Sequence, residues 1–155
     1  MIFQTDVLFE DNHLLIVNKP AGYLVQGDKT GDTPLVDIYK EYLKKKYNKP
    51  GEVFLGVVHR LDRPVSGALV FARTSKALER MNNLFSTRDV KKTYCAIVKN
   101  TPPGESGHLV HWLVKNEQNN TVKAKKSQFN GGLKSELDYK LIGKIGQYYL
   151  LEVTP

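Results

Sequence analysis

Four short apolar segments follow one another in the second half of the chain without a helical pattern between them, and this order restricts the fold more than any other feature. Each has the length and the β-branched and aromatic content of a strand: Thr93–Val98, His108–Val114, Leu137–Leu141 and Tyr148–Val153. Strands that follow one another without crossover helices form an antiparallel or mixed sheet. Helices must then come from the first half, which predicts an α+β domain with a central sheet and flanking helices.

The first half begins with two apolar runs that predict a β-hairpin. Val7–Phe9 and Leu14–Val17 are separated by Glu10-Asp11-Asn12-His13, a cluster of turn-forming residues. Two further apolar runs, Val57-Val58 and Ala68–Ala72, predict buried strands.

Two amphipathic segments predict helices. The first starts at Thr33-Pro34, has three lysines in its last turn and ends before Pro50, with one apolar face formed by Leu35, Ile38, Tyr39 and Tyr42. The second runs from Thr74 or Ser75 to Phe85 or Ser86, and we interpret its apolar stripe of Leu78, Met81, Leu84 and Phe85 as core packing.

Charge and cysteine content narrow the classes of partner and compartment. The net charge of +7 favours a polyanionic partner, with nucleic acid as the leading class. A single cysteine, Cys95, forbids an internal disulfide, and no apolar stretch has the length of a membrane helix. The N-terminus lacks the basic region of a signal peptide, so we expect a cytoplasmic protein.

The polar segment His59–Gly67 must be a loop between two core strands, and it carries Asp62 between two arginines, Arg60 and Arg63. A carboxylate kept ionised in this way can act as a nucleophile or a general base. The alternative is a surface ion pair that pins a turn. A metal site at His59 and Asp62 is not expected, because no further His or Cys cluster lies nearby.

Three motifs in this chain resemble those of the RluA-type RNA pseudouridine synthases. His59-Arg60-Leu61-Asp62-Arg63-Pro64-Val65-Ser66-Gly67 is similar to the HRLD-x-x-[TV]-SG signature of that family, with valine at a position where many members have threonine. Ile16–Gly22 resembles its strand ending in a Lys-Pro-x-Gly turn, and Lys91–Tyr94 resembles its Lys-x-Tyr motif. The resemblance covers residues 6 to 155 and implies the pseudouridine synthase catalytic fold.

The resemblance also implies roles for individual residues. Asp62 corresponds to the catalytic carboxylate and Tyr94 to the tyrosine that packs on the uracil. Arg60 corresponds to the arginine that occupies or supports the space of the flipped base, although a structural salt bridge to Asp62 is an alternative role. Lys19 and Lys92 are expected to contact the RNA backbone or the scaffold. The substrate would be a uridine in ribosomal or transfer RNA, and no cofactor or metal is implied.

Two further expectations concern the extent of the chain and its specificity. We interpret residues 1–155 as one catalytic domain without a separate N-terminal RNA-binding domain. The chain stops in an apparent strand at Leu150–Pro155, before the arginine motif that follows in the family, so we expect the natural protein to continue. The polar stretch 115–128 is expected to stand out from the body and to contribute to the choice of RNA.

Two rival functions are compatible with the sequence. The first is a non-catalytic RNA-binding protein with the same fold. The second is a carboxylate-dependent hydrolase acting on a nucleoside or glycoside, which would normally need a second catalytic acid near Asp62.

Overall fold

The computed structural model describes residues 6–116, 118–119 and 121–155. The chain forms two compact units, residues 1–90 and 91–155, which are described separately. Both helices belong to the first unit, whereas the regular structure of the second is entirely β. The predicted α+β class is therefore confirmed.

The first unit contains a four-stranded antiparallel sheet with the order β1-β2-β4-β3. Its strands are β1 (Val7–Glu10), β2 (Leu14–Lys19), β3 (Gly56–Val57) and β4 (Gly67–Ala72). The predicted hairpin is confirmed as the β1–β2 pair. Its turn is fixed by Asp11, whose carboxylate accepts hydrogen bonds of 2.7 Å from the backbone N–H groups of His13 and Leu14.

Helix α1 (Leu35–Lys46) supplies much of the core of this unit. Leu35, Val36, Tyr39 and Leu43 are buried, while the predicted face residues Ile38 and Tyr42 pack partly against the core. Pro34 caps the helix instead of being its first residue. The three lysines of the last turn lie where they complement the negative end of the helix dipole.

Helix α2 (Ser75–Ser86) begins as predicted, because the Thr74 hydroxyl accepts a hydrogen bond from the backbone N–H of Ala77. Its apolar stripe is less buried than expected. Leu78 packs closely over Gly56 of β3, but Leu84 is exposed. The prediction of core packing is therefore wrong for Leu84, since the two-residue strand β3 contacts the helix around Leu78 and does not extend further.

The second unit is a five-stranded antiparallel sheet with the order β5-β9-β8-β6-β7. Its strands are β5 (Tyr94–Val98), β6 (Ser106–Asn116), β7 (Thr121–Lys125), β8 (Leu133–Ile145) and β9 (Tyr148–Thr154). The four predicted strands are all present. Strand β7 lies inside the stretch that was expected to stand out, and β8 is much longer than predicted. The structure thus has two antiparallel sheets, one in each unit.

The two faces of this second sheet differ in chemistry. One face is apolar and forms an open groove of about 560 Å³ lined by residues such as Ala96, Leu109, Leu137, Tyr139 and Leu151. The register places the opposite set of side chains on the other face, which we call the charged face: His108, Trp112, Lys123, Lys125, Lys134, Glu136 and Asp138. In the described part of the chain, neither helix is long and apolar enough to cross a membrane.

Candidate active site

The predicted catalytic residue Asp62 lies in the loop that joins β3 to β4 in the first unit. The loop contains a tight turn in which the backbone N–H of Val65 donates a hydrogen bond of 3.0 Å to the carbonyl of Asp62. Arg63 and Pro64 occupy the corner of this turn. The backbone that follows Asp62 is therefore restrained.

The buried ammonium of Lys19 is hydrogen-bonded to the backbone of this loop. Lys19 is 0% exposed, and its Nζ donates hydrogen bonds of 3.1, 3.2 and 2.6 Å to the carbonyls of Pro20, Arg63 and Val65. These bonds use all three donors of an ammonium group. Burial lowers the pKa of Lys19, and the nearby negative charge of Asp62 acts in the opposite direction. Of the two roles predicted for Lys19, this geometry supports contact with the scaffold.

Arg63 links the loop to the Lys-Pro-x-Gly turn through one hydrogen bond between backbone groups and one from its side chain to the backbone. The N–H of Gly22 donates to the carbonyl of Arg63 at 2.7 Å, and Nε of Arg63 donates to the carbonyl of Gly22 at 3.0 Å. Its guanidinium also pairs with Asp32 at 2.8 Å. Arg63 is thus bound to Gly22 and Asp32, which the sequence analysis did not foresee.

Two glycines of the recognised motifs have backbone angles that explain their presence. Gly22 has φ +91° and Gly67, where β4 begins, has φ +141°. Side chains other than hydrogen rarely tolerate such angles. The two motifs are therefore parts of one structural unit, in which one turn supports the other.

His59 anchors the start of the loop to the first unit. Its Nε2 accepts a hydrogen bond of 3.1 Å from the backbone N–H of Val70, so this nitrogen carries no proton. The ring stacks on Phe85 of α2 with centroids 4.8 Å apart and planes 18° from parallel. His59 therefore has a structural role in this geometry.

Asp62 and Arg60 differ from these anchoring residues because both are exposed. Among the described residues, no side-chain hydrogen bond or ion pair within 4.0 Å involves either of them. The sequence left two alternatives open: a surface ion pair between Asp62 and an arginine, and a salt bridge between Arg60 and Asp62. Neither is present among the described residues. The loop thus presents one carboxylate and one guanidinium to solvent on a restrained backbone.

The other two predicted site residues belong to the second unit. Lys92 is exposed and lies two residues before β5, and Tyr94 is the first residue of β5, opposite Val153 of β9. Tyr94 is partly exposed. By strand alternation, it points to the same side of the sheet as the apolar groove residues Ala96 and Leu151.

One signal in the sequence could have identified the buried lysine. Leu15, Val17 and Lys19 alternate along β2, and all three are 0% exposed. Strand periodicity alone therefore places Lys19 on the core side. The ion pair between Arg63 and Asp32 has no comparable signal, because the two residues are brought together by loops.

Comparison with known proteins places the chain in a family. Residues 13–155 match the family model described as RNA pseudouridylate synthase. The chain belongs to the RNA pseudouridylate synthase family. The RluA-type resemblance carried by the three motifs is thereby confirmed.

Individual relatives agree with this membership. Ribosomal large subunit pseudouridine synthase C of Vibrio parahaemolyticus is 31% identical over 149 residues, which cover 96% of this chain and 44% of that protein. An uncharacterised RNA pseudouridine synthase of Chlorobaculum parvum is 32% identical over 155 residues, covering 96% of this chain and 46% of that protein. The chain thus spans less than half the length of these pseudouridylate synthases.

A solved structure has the same fold. Human RNA pseudouridylate synthase domain containing 4 superimposes with a TM-score of 0.80 at 23% identity, over 97% of this chain and 59% of that one. The predicted pseudouridine synthase fold is therefore confirmed.

Proposed function

We propose that this chain carries the catalytic loop of an RNA pseudouridine synthase and that Asp62 is its catalytic carboxylate. The substrate is a uridine within ribosomal or transfer RNA. Ribosomal RNA has the stronger support, because the Vibrio relative is named as an enzyme of the ribosomal large subunit.

The observation that carries this proposal is the contrast between Asp62 and its surroundings. The loop is held by Lys19, by Arg63 and by His59, whereas the carboxylate of Asp62 is exposed and makes no ion pair within the described residues. A carboxylate that only stabilised the turn would be engaged in it. Precise positioning of an available reactive group is a general requirement of catalysis.

The reaction suits a single well-placed carboxylate. Conversion of uridine to pseudouridine breaks the N1–C1′ bond and forms a C5–C1′ bond, while C5 loses a proton and N1 gains one. Three routes are open to a carboxylate: attack on C1′, addition to C6 of the uracil, or removal of a proton from the sugar. Each route requires a carboxylate that is free of a competing partner, and among the described residues the carboxylate of Asp62 has no hydrogen-bond or ion-pair partner within 4.0 Å.

The other predicted site residues have complementary roles in this proposal. Uracil in a folded RNA must be flipped out before an enzyme can act on it. Arg60 is exposed two residues from Asp62, where its planar guanidinium can stack on the bases next to the gap or contact a phosphate. Tyr94 packs on the uracil, Lys92 contacts the RNA backbone, and Lys19 acts through the loop that it supports.

The test is tritium release from RNA labelled at C5 of uridine, because the label leaves only when the C5–C1′ bond forms. We expect Asp62→Asn to reduce release by about a hundredfold or more, since it removes the charge and keeps the shape. The matched control is Asp37→Asn, which changes an exposed aspartate on α1 that pairs with Lys40. The assay uses ribosomal and transfer RNA transcripts and the longest reading frame that encodes the chain.

Other outcomes would contradict the assignment. Unchanged release from Asp62→Asn would exclude Asp62 as the catalytic group. RNA binding without release in the unsubstituted protein would favour the non-catalytic RNA-binding protein, and liberation of free uracil would favour the hydrolase.

A further inference from the structure

The charged face of the second sheet has an aromatic side chain flanked by lysines. Trp112 of β6 lies opposite Lys134 of β8 on one side and opposite Lys125 of β7 on the other. Directly opposite residues in antiparallel strands project from the same face, so these three side chains form a row across the sheet. Lys123 lies opposite Val114 and continues the same face towards the end of the β6–β7 hairpin.

A second aromatic ring extends this row. Phe129 follows β7, and Nζ of Lys125 lies 4.9 Å from the centroid of its ring. Gly132 makes room for this arrangement, because a Cβ there would lie 2.8 Å from the Phe129 ring and 3.1 Å from Cβ of Trp112. The two aromatic side chains thus share one patch, and both are partly exposed. We call Trp112, Lys123, Lys125 and Phe129 the aromatic-basic patch.

Charge is distributed unevenly along the charged face. Residues 115–134 contain five lysines and a single acidic residue, Glu117. Towards β9 the face carries charges of both signs: Asp138 binds His108 at 2.8 Å, Glu136 binds Lys134 at 2.7 Å, and Lys140 lies opposite Glu152. Because Lys134 is paired with Glu136, the available positive charge of the patch comes from Lys123 and Lys125.

We propose that the aromatic-basic patch binds unpaired nucleotides of the RNA substrate, with a base stacked on Trp112 and Phe129 and phosphates contacted by Lys123 and Lys125. This inference rests on the proposed function for the identity of the RNA. Proteins bind single-stranded RNA by combining aromatic stacking with cationic contacts to the backbone.

The lysines of the patch are too exposed to serve only as cross-strand packing contacts. Strand β7 is exposed at every position and lies at the edge of the sheet, so its lysines do not cover a core. Trp112 lies beside this edge strand, and the ammonium of Lys125 lies over the ring of Phe129. A nucleotide base and its phosphate would complement this arrangement.

The chain offers a direct probe, because Trp112 is its single tryptophan. We expect titration with a short oligouridylate to quench the intrinsic fluorescence through stacking on the indole. A fully paired RNA duplex should quench much less, since its bases are not available to stack. Quenching that is equal with the duplex, or absent with oligouridylate, would overturn the proposal.

Substitutions separate stacking from charge. We expect Trp112→Leu to weaken binding of fluorescently labelled oligouridylate about tenfold or more, whereas Trp112→Phe should retain most of the affinity. The double variant Lys123→Gln/Lys125→Gln should weaken binding and reduce the slope of log affinity against log salt by about 1.4, or roughly 0.7 per lost phosphate contact. The matched control, Lys45→Gln/Lys49→Gln, removes the same charge from exposed lysines at the end of α1.

These outcomes are distinct from those of the catalytic assay. Binding is measured in the Asp62→Asn background, so it does not depend on turnover. Circular dichroism of each variant controls for folding, and Trp112→Phe provides a readout if Trp112→Leu does not fold. Equal losses of RNA affinity in the double lysine variant of the patch and in the α1 control would show nonspecific electrostatic attraction. That result would overturn the proposed binding site, whether or not the protein isomerises uridine.

Discussion

At the scale of single residues, the main feature of the candidate site is the buried ammonium of Lys19. A charged group in a core is costly unless its hydrogen bonds are made. Here it makes three, to carbonyls of Pro20, Arg63 and Val65 on either side of the turns. Lys19 therefore restrains the backbone of the loop that carries Asp62.

We predict that Lys19→Met lowers the free energy of unfolding by about 2 kcal/mol or more, because the partly buried carbonyls of Pro20 and Val65 lose the donor that Lys19 supplies. The measurement is urea unfolding monitored by circular dichroism. Lys45→Met, an exposed lysine in the last turn of α1, is the control and should change stability little. Equal unfolding midpoints for the Lys19→Met variant and the unsubstituted protein would contradict the scaffold role.

At the scale of elements, the pairing of β6 with β8 depends on a glycine opposite an aromatic ring. Gly107 lies directly opposite Tyr139, which is buried. A Cβ on Gly107 would lie 2.8 Å from the tyrosine ring. The ring thus covers the glycine, and the two strands pack closely where β6 begins.

We predict that Gly107→Ala destabilises the protein by about 1–3 kcal/mol, because the buried ring has to move. The matched control is Gly104→Ala, where the nearest atom to a new Cβ would be 3.5 Å away, an ordinary contact. Thermal unfolding of the two variants should show a lower midpoint for Gly107→Ala alone. Similar midpoints would mean that Tyr139 adapts without cost.

Elements with a buried face were predictable from the sequence, and elements without one were not. The β1–β2 hairpin and helix α1 follow from apolar spacing, because their patterns reflect burial. Strand β7 has no buried residue, and its two apolar residues, Val122 and Ala124, form too short a pattern to predict a strand. For the site, the motifs identified the loop and Asp62. The hydrogen bond of Arg63 to Gly22 and its ion pair with Asp32 were not predictable, because they join segments that are distant in sequence.

At the scale of the whole molecule, the buried core is concentrated in the first unit. Among the described residues, Tyr139 and Leu151 are the buried hydrophobic residues of the second unit, whereas the first has a continuous cluster from β2, α1 and β4. The elements of the first unit are also joined by Glu10. Its carboxylate accepts hydrogen bonds from Tyr42, Lys46, Tyr47 and Arg73.

We predict that this carboxylate makes the stability of the protein sensitive to acid. Burial raises the pKa of Glu10, but the hydrogen bonds from Lys46, Tyr47 and Tyr42 outweigh it and leave the pKa below its usual value of 4.5. Its contribution is therefore present above the unfolded-state pKa and is lost as the pH falls through the lower, folded-state value.

Glu10→Gln should accordingly reduce the free energy of unfolding by about 1–3 kcal/mol near neutral pH, and the difference should shrink below about pH 4. Urea unfolding at a series of pH values measures both effects. The control Glu41→Gln changes an exposed glutamate on α1 and should alter neither. A deficit for Glu10→Gln that stayed constant with pH would contradict the assignment.

The position of β7 at the edge of its sheet has a consequence for the solution behaviour of the protein. Among the strands that the structure describes, none pairs with the outer side of β7, and such edges recruit strands from other copies of a protein. Lysines at positions 123 and 125 oppose this pairing, because two like-charged strands repel each other. The side chains proposed to attract RNA would thus also keep the protein from aggregating, and apolar residues at these two positions would remove both properties at once.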